Sequence, residues 1–341
     1  MNAHIPYPVG KLPQADLMHL LTHKLDFHDP RVLFGPGLGR DAAVIDFGDR
    51  YLVAKTDPIT FATDEIGWYV VNVNANDIAC LGATPRWFIA TALLPEGKTD
   101  PAMVERIFMQ LRDASHELGI SLVGGHTEIT YGLDRPIVVG AMFGEVPPER
   151  LVRSDGARPG DTLILTKGIC VEGTALLAQE VGARLKGQVP PELLTRAEGF
   201  LHTPGISVVR DAAIVARSGV VHAMHDPTEG GIATGLHEIT EAAGVGAVVE
   251  AAALPIYPET QALCAALHLD PLGLIASGSL LAAVAPKDAP AILSALHSAG
   301  VAAAAIGAVH AEPGVLLRDA DGVRPLPTFP RDEIARLFET L

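Results

Sequence analysis

Basic residues are in short supply. Twenty-five Lys and Arg face 40 Asp and Glu, leaving a net charge of −15, and no basic stripe is available to neutralise a phosphate backbone. A nucleic-acid partner is excluded on that ground. Cysteine is scarcer still: Cys80, Cys170 and Cys264 stand far apart with no CxxC spacing, which excludes a disulfide framework and a thiolate zinc site. They read as buried or spare thiols. The histidines show no HExxH spacing, so zinc catalysis is not expected. No apolar run approaches the ~18 residues that a membrane span needs. The opening MNAHIPYPVGKLPQ also lacks a basic region followed by an apolar one. The expectation is a cytoplasmic protein with no membrane partner. Aromatic residues make up only 5%, yet hydrophobic residues reach 48% against 19% charged. The chain therefore has material for large cores and no stretch whose composition argues for disorder. Its 341 residues suggest about two domains.

The period of the apolar residues gives the order of elements. QADLMHLLTHKLDF (14–27) places Leu17, Leu20, Leu21 and Leu25 on one helical face,. AAVIDF and YLVAKTD, separated by Gly48, Asp49 and Arg50, predict a hairpin,. Residues 64–83 predict a helix stopped at Gly82, and RWFIATALL a strand,. A second helix opens at Asp100-Pro101 and closes at Gly119,. ISLVGG and PIVVGAMFGEV predict strands on either side of a polar loop, with antiparallel pairing expected,. Proline, glycine and charge concentrate in VPPERLVRSDGARPGD, which places a domain junction near residue 155 and two domains at 1–155 and 156–341. The second half reads as the strand TLILTK, a helix from near Thr174, helices around 191–201 and 207–218, and the strand VVHAM. HDPTEGG then turns into a helix, and three further strands follow.

Four carboxylates recur at the edges of these elements: Asp41 after the glycine-rich Gly35–Gly39 stretch, Asp57 in KTDPIT, Asp77 in NANDIA and Asp226 in HDPTEGG. Glycines such as Gly37 and Gly39 let a backbone approach a phosphate, and dispersed carboxylates are what oxygen-seeking Mg²⁺ requires. Each motif also has a plain structural reading as a turn or a helix cap. Asp77 is the most informative, because the residues around it are too apolar for a solvated face and its charge needs a partner. Asn72, Asn74 and Asn76 can supply that by hydrogen bonding, and a cation is the alternative. In GGHTEIT, Gly124 and Gly125 permit close approach, and His126, Thr127 and Glu128 present polar atoms. The turn into the HDPTEGG helix offers an anion site, or Thr228 caps the helix. Lys167 is a phosphate ligand or a solvated strand end, and Lys11, after a glycine, is free to reach an anion.

In this order and spacing, GRDAAVID, KTDPIT, NVNANDIACLGA, GGHTE and HDPTEGGIATGLHEITEAAGVG resemble the aminoimidazole ribonucleotide synthetase (PurM-like) superfamily, nearest its HypE-type members. The resemblance implies a two-domain α+β fold. Its N-terminal domain, with a mixed or antiparallel sheet, forms a dimeric barrel with its twin, and its C-terminal domain is α/β. It implies an ATP- and Mg²⁺-dependent enzyme phosphorylating an oxygen of an amide, carboxamide or phosphate. The substrate is a small molecule or is borne on a protein. In site residues it implies Asp41, Asp57, Asp77 and Asp226 on metal, and Gly37, Gly39, Gly124, Gly125 and Thr127 along ATP. His126, Glu128 and Lys11 are candidates for catalysis. His126 departs from the carboxylate that most relatives carry after the paired glycines. The chain ends Phe338-Glu339-Thr340-Leu341, without the terminal cysteine of HypE-type members. These departures leave a second reading open, a nucleotide-binding assembly factor with little turnover. The stretch Gly35–Asp41 is expected to close over ATP.

Overall fold

The structure is a computed structural model that describes residues 7, 12, 16–17, 19–21, 29–37, 42–60 and 64–339. Of the expected N-terminal helix, the described residues 16, 17 and 19–21 are helical. Lys11, Gly39 and Asp41 lie outside the described residues.

A six-stranded sheet is drawn from residues 32–146. Its strands are β1 (Val32–Phe34), β2 (Ala43–Asp46), β3 (Tyr51–Ile59), β4 (Thr84–Pro95), β5 (Ser121–Thr130) and β6 (Ile137–Val146), in the order β1-β2-β3-β6-β4-β5. The β2–β3 hairpin forms as its turn residues predict, with Ala43 opposite Ala54. Pairing is antiparallel except between β4 and β5, which run parallel. The expectation of an antiparallel sheet fails there because α2 (Pro101–Glu117) carries the chain back between the two strands,. Asp100 caps that helix, its carboxylate accepting from the Met103 amide at 2.7 Å. The strand predicted at ISLVGG runs on through the first part of the expected polar loop: His126–Thr130 complete β5.

The helix α1 (Ile66–Cys80) covers this sheet. It is buried on nearly every position, its three asparagines and Asp77 included. One side meets β3 and β6, and the other meets the second half of the chain. Gly140 and Gly144 on β6 make the close approach possible. A Cβ at Gly140 would fall 2.5 Å from Asn74 Nδ2, and one at Gly144 would fall 2.3 Å from Ile78 Cγ2,.

The second sheet has seven strands: β7 (Thr162–Thr166), β8 (Val221–His225), β9 (Gly246–Glu250), β10 (Leu281–Val284), β11 (Ala303–His310), β12 (Gly314–Asp319) and β13 (Gly322–Pro325). Their order is β13-β12-β9-β11-β7-β10-β8. Seven helices accompany it: α3 (Val171–Val181), α4 (Pro191–Glu198), α5 (Val209–Ser218), α6 (Gly231–Ala243), α7 (Pro258–Leu267), α8 (Ala289–Ser298) and α9 (Glu333–Phe338). Helix α3 begins at Val171, three residues before the predicted start. Apolar clusters lie against both faces of this sheet. Ala79 and Cys80 at the end of α1 join one of them, so α1 is shared between the two halves.

Candidate functional site

The polar residues of α1 divide by role. Asn72 Nδ2 donates to the Trp68 carbonyl at 2.9 Å, and Asn74 Nδ2 to the carbonyls of Val70 at 2.8 Å and Asp57 at 3.3 Å. Asn76 ties the halves together, donating to the Ile206 carbonyl at 2.9 Å and accepting from the Val208 amide at 2.8 Å. All three asparagines serve backbone groups, and the partner of Asp77 is an ammonium that the sequence reading passed over. Lys55 Nζ lies 3.0 Å from Asp77 Oδ2 and 3.4 Å from Asp57 Oδ2. The signal was available in KTD, because residues two apart on a strand share a face.

One turn beyond Asp77, the Cys80 thiol donates to Asp226 Oδ1 at 3.5 Å. Asp226 is 3% exposed. Asp77, Cys80, Ser154, Met224 and His225 line one small cavity together with Ala42, the neighbour of Asp41 in sequence. His225 Nε2 is held 2.9 Å from Glu238 Oε2. Asp57 and Asp77 therefore meet through Lys55, and Asp226 reaches the next turn of α1 through Cys80, so three of the four expected carboxylates lie against or on this helix. All three cysteines are buried, as their low count suggested.

Among the described residues, no group of three or more His, Cys, Asp or Glu is arranged to hold a metal ion by itself. The donors present are carboxylate oxygens, and a cation, the Lys55 ammonium, already lies between two of them. Hard oxygen donors completed by phosphate oxygens fit Mg²⁺, so the donor set is compatible with the expected metal.

The glycine strand lies elsewhere on the sheet. Two strands, β6 and β4, separate β3 from β5, so Gly124, Gly125 and Thr127 stand about 14 Å across the sheet from Asp57. His126 Nε2 and Glu128 Oε2 are 3.5 Å apart, both more than half exposed. Gly37, ahead of β2, does not line the cavity beside Asp77. The paired glycines differ from each other. A Cβ at Gly125 would meet the Ala90 carbonyl oxygen at 2.0 Å, whereas one at Gly124 would meet nothing within 4 Å. The parallel β4–β5 pairing demands Gly125, and Gly124 leaves room for something outside the chain. Gly124→Ala is therefore expected to fold with an unchanged melting temperature and to bind ATP at least tenfold more weakly. Gly125→Ala is expected to lower the melting temperature itself, and circular dichroism with calorimetry separates the two.

At HDPTEGG the expected helix start is present, but its anion is internal. Gly230, at φ +74°, caps α6, and its amide donates to Asp332 Oδ2 at 2.7 Å. Thr228 does not cap the helix; its carbonyl accepts from Gly231 and Ala276. The motif seen in sequence offered an open anion site, and a carboxylate from about a hundred residues later fills it. Lys167 is neither a phosphate ligand nor a solvated strand end. It is buried against Asp211 at 3.4 Å and donates to the Gly205 and Ser207 carbonyls. Burial holds its pKa below the usual lysine value, although Asp211 opposes the shift. Glu172 on α3, also passed over in sequence, is buried, and burial lifts its carboxyl to about 7, with a Ser277 hydrogen bond opposing and Asp332 and Glu229 adding to the rise.

A mixed two-sheet α+β fold, with carboxylates from β3, from the shared helix α1 and from the turn after β8 placed along that helix, defines the class. The chain matches the N-terminal domain of AIR synthase related proteins over residues 39–146 and their C-terminal domain over residues 158–319. It belongs to the AIR synthase related protein family, with the two-domain PurM-like fold. It is 34% identical to the carbamoyl dehydratase HypE of Rhizobium leguminosarum bv. viciae, covering 80% of this chain and 78% of that protein. It is 30% identical to a putative hydrogenase expression/formation protein of Methanocaldococcus jannaschii, covering 92% and 93%. Among solved structures, the hydrogenase maturation protein HypE in complex with ATP superposes with a TM-score of 0.72 at 27% identity, over 94% of this chain and 97% of that one. The thiamine monophosphate kinase of Aquifex aeolicus shares the fold, with a TM-score of 0.66 at 19% identity over 90% and 98%. No helix among the described residues is long and apolar enough to cross a membrane.

Proposed function

We propose that this protein binds ATP with Mg²⁺ and transfers the γ-phosphoryl group to an amide, carboxamide or phosphate oxygen of a small or protein-borne substrate, as a HypE-like member of its family. One observation carries the reading: Asp57, Asp77 and Asp226 converge along α1 in a chain whose relative HypE is known in complex with ATP. Bound ATP and Mg²⁺ would supply the electrophilic phosphorus and neutralise its charge; phosphoryl transfer asks a protein chiefly for positioning and electrostatics. In this chain Asp57 and Asp77 would hold the metal, with Asp41 and Asp226 completing the set. Lys55, beside both of the first two carboxylates, orients them and balances part of their charge. Gly124, Gly125 and Thr127 would run along the phosphates with Gly37 and Gly39. His126, Glu128 and Lys11 remain the candidates for contact with the reacting groups.

Residues 1–155 would form the nucleotide-binding and dimerisation domain, and 156–341 the second domain. The edge strand β5 is exposed along nearly its whole length, with Leu122, Val123 and Ile129 among its uncovered side chains and Trp87 and Ile89 beside it on β4. An apolar open strand edge calls for a partner, and a second copy of this chain supplies one. In such a homodimer the phosphate strand of one copy and the carboxylates of the other can share one nucleotide. That arrangement bridges the 14 Å gap within a single chain, a distance of roughly three strand spacings. A cytoplasmic location suits this chemistry.

Isothermal titration calorimetry tests the reading. ATP is expected to bind in the presence of Mg²⁺ and at least tenfold more weakly without it, and Asp57→Asn is expected to remove the Mg²⁺-dependent part. Binding indifferent to both changes would sink the proposal. Phosphate release stimulated by a candidate amide would mark an enzyme, whereas ATP binding without release would favour an assembly factor.

A further inference from the structure

A cavity of about 250 Å³ lies away from Asp57, Asp77 and Asp226, between the C-terminal end of β4, the segment that leads into β6 and the first half of α2. Pro95, Met103 and Ile107 give it an apolar wall, and Lys98, Arg106 and Arg135 bring three cationic groups to it against the carboxylates of Asp64 and Asp134. A cationic excess in a chain carrying −15 overall is unusual enough to need a reason.

The cations are not equally engaged. Lys98 Nζ donates to the Asp134 carbonyl at 3.1 Å and lies 3.3 Å from its carboxylate, in a pair that is well exposed on both sides. Such a pair is weak and readily exchanged. Arg135 Nε donates to the Thr60 carbonyl at 2.5 Å, which fixes the guanidinium at the rim. Gln110 is fixed too, its amide bridging the Asp64 carbonyl and the Gly67 amide. Arg106 has no ion pair or hydrogen bond among the described residues. The pocket thus combines a rigid frame, an apolar wall and a guanidinium without a charge partner among the described residues. Guanidinium groups suit flat or tetrahedral oxyanions, which they grip in a bidentate fork.

We infer that this cavity is a second ligand site, separate from the ATP site, for a small molecule carrying a phosphate or carboxylate on an apolar body. Arg106 takes the oxyanion, Arg135 and Lys98 flank it, and Met103 and Ile107 cover the apolar part. Thr60, whose carbonyl anchors Arg135, follows Asp57 by three residues. That is about 10 Å of extended chain, so an occupant of the cavity sits near the metal-binding strand without sharing its donors.

Phenyl phosphate and benzoate are suitable probes, titrated calorimetrically into the full-length protein with ATP and Mg²⁺ already at saturation. Saturable binding of either probe, weakened at least tenfold in Arg106→Gln but unchanged in Arg112→Gln on the same helix, is the expected result; the probe that binds identifies the oxyanion. Arg106 is exposed, so its variant is expected to keep the wild-type melting temperature and ATP affinity. No binding of either probe, competition by ATP, or binding that survives Arg106→Gln would overturn the inference. Because ATP is present throughout, failure here leaves the ATP reading untouched, and a failure of ATP to bind shows itself beforehand.

Discussion

Replacing Lys55 with methionine is expected to cost about 3–5 kcal/mol of folding stability at neutral pH, the range for removing one member of a buried ion pair. The Lys55 side chain is 12% exposed and that of Asp77 is 9% exposed, so neither charge is solvated enough to stand alone. Methionine preserves the length of the stem and removes only the charge, which leaves the largely buried Asp77 carboxylate without the ammonium 3.0 Å away. The double variant Lys55→Met/Asp77→Asn is expected to recover most of the loss, because the amide has no charge to desolvate. Urea unfolding of the four proteins measures the coupling directly. Additive losses would show that Asp77 is held by something other than Lys55.

The second large effect is a pH dependence set by Glu172. Burial raises its folded-state pKa to about 7 from an ordinary value of 4.5, so the fold favours the neutral acid. Below about pH 4.5 the group is protonated in both states and costs nothing. As pH rises from there to about 7, the unfolded chain gives up this proton first, and stability falls. Above 7 the loss is complete, about 3 kcal/mol as an order of magnitude. Glu172→Gln, which keeps the neutral shape, is expected to abolish this component. Its melting temperature should exceed that of the wild type at about pH 8 and match it at about pH 5. Parallel curves for the two proteins would refute the assignment.

The fold was legible in the sequence wherever the signal was local. The hairpin at Gly48–Arg50, the Asp100-Pro101 helix start and the stop at Gly82 all depend on a few adjacent residues, and each is found in place. The apolar run around Asp77 correctly announced a carboxylate in need of a partner. What stayed hidden depends on contacts distant in sequence. Lys55 reaches Asp77 across a strand–helix layer. Asp332 occupies the Gly230 amide from about a hundred residues away, and Lys167 is drawn inward by carbonyls some forty residues on. HTEIT, after the strand ISLVGG, misled because a run of polar residues behind paired glycines normally marks a loop. Here they form an edge strand whose outward groups are left for a ligand or a second copy.

The account turns on carboxylates and glycines that one chain holds about 14 Å apart across its sheet,. A crystal soaked with a non-hydrolysable ATP analogue and Mg²⁺ tests it most directly. The expected density places the phosphates beside Gly124 and Thr127 of one protomer, with Mg²⁺ on the carboxylates of Asp57 and Asp77. Nucleotide bound away from both groups, or metal bound without either aspartate, would contradict it.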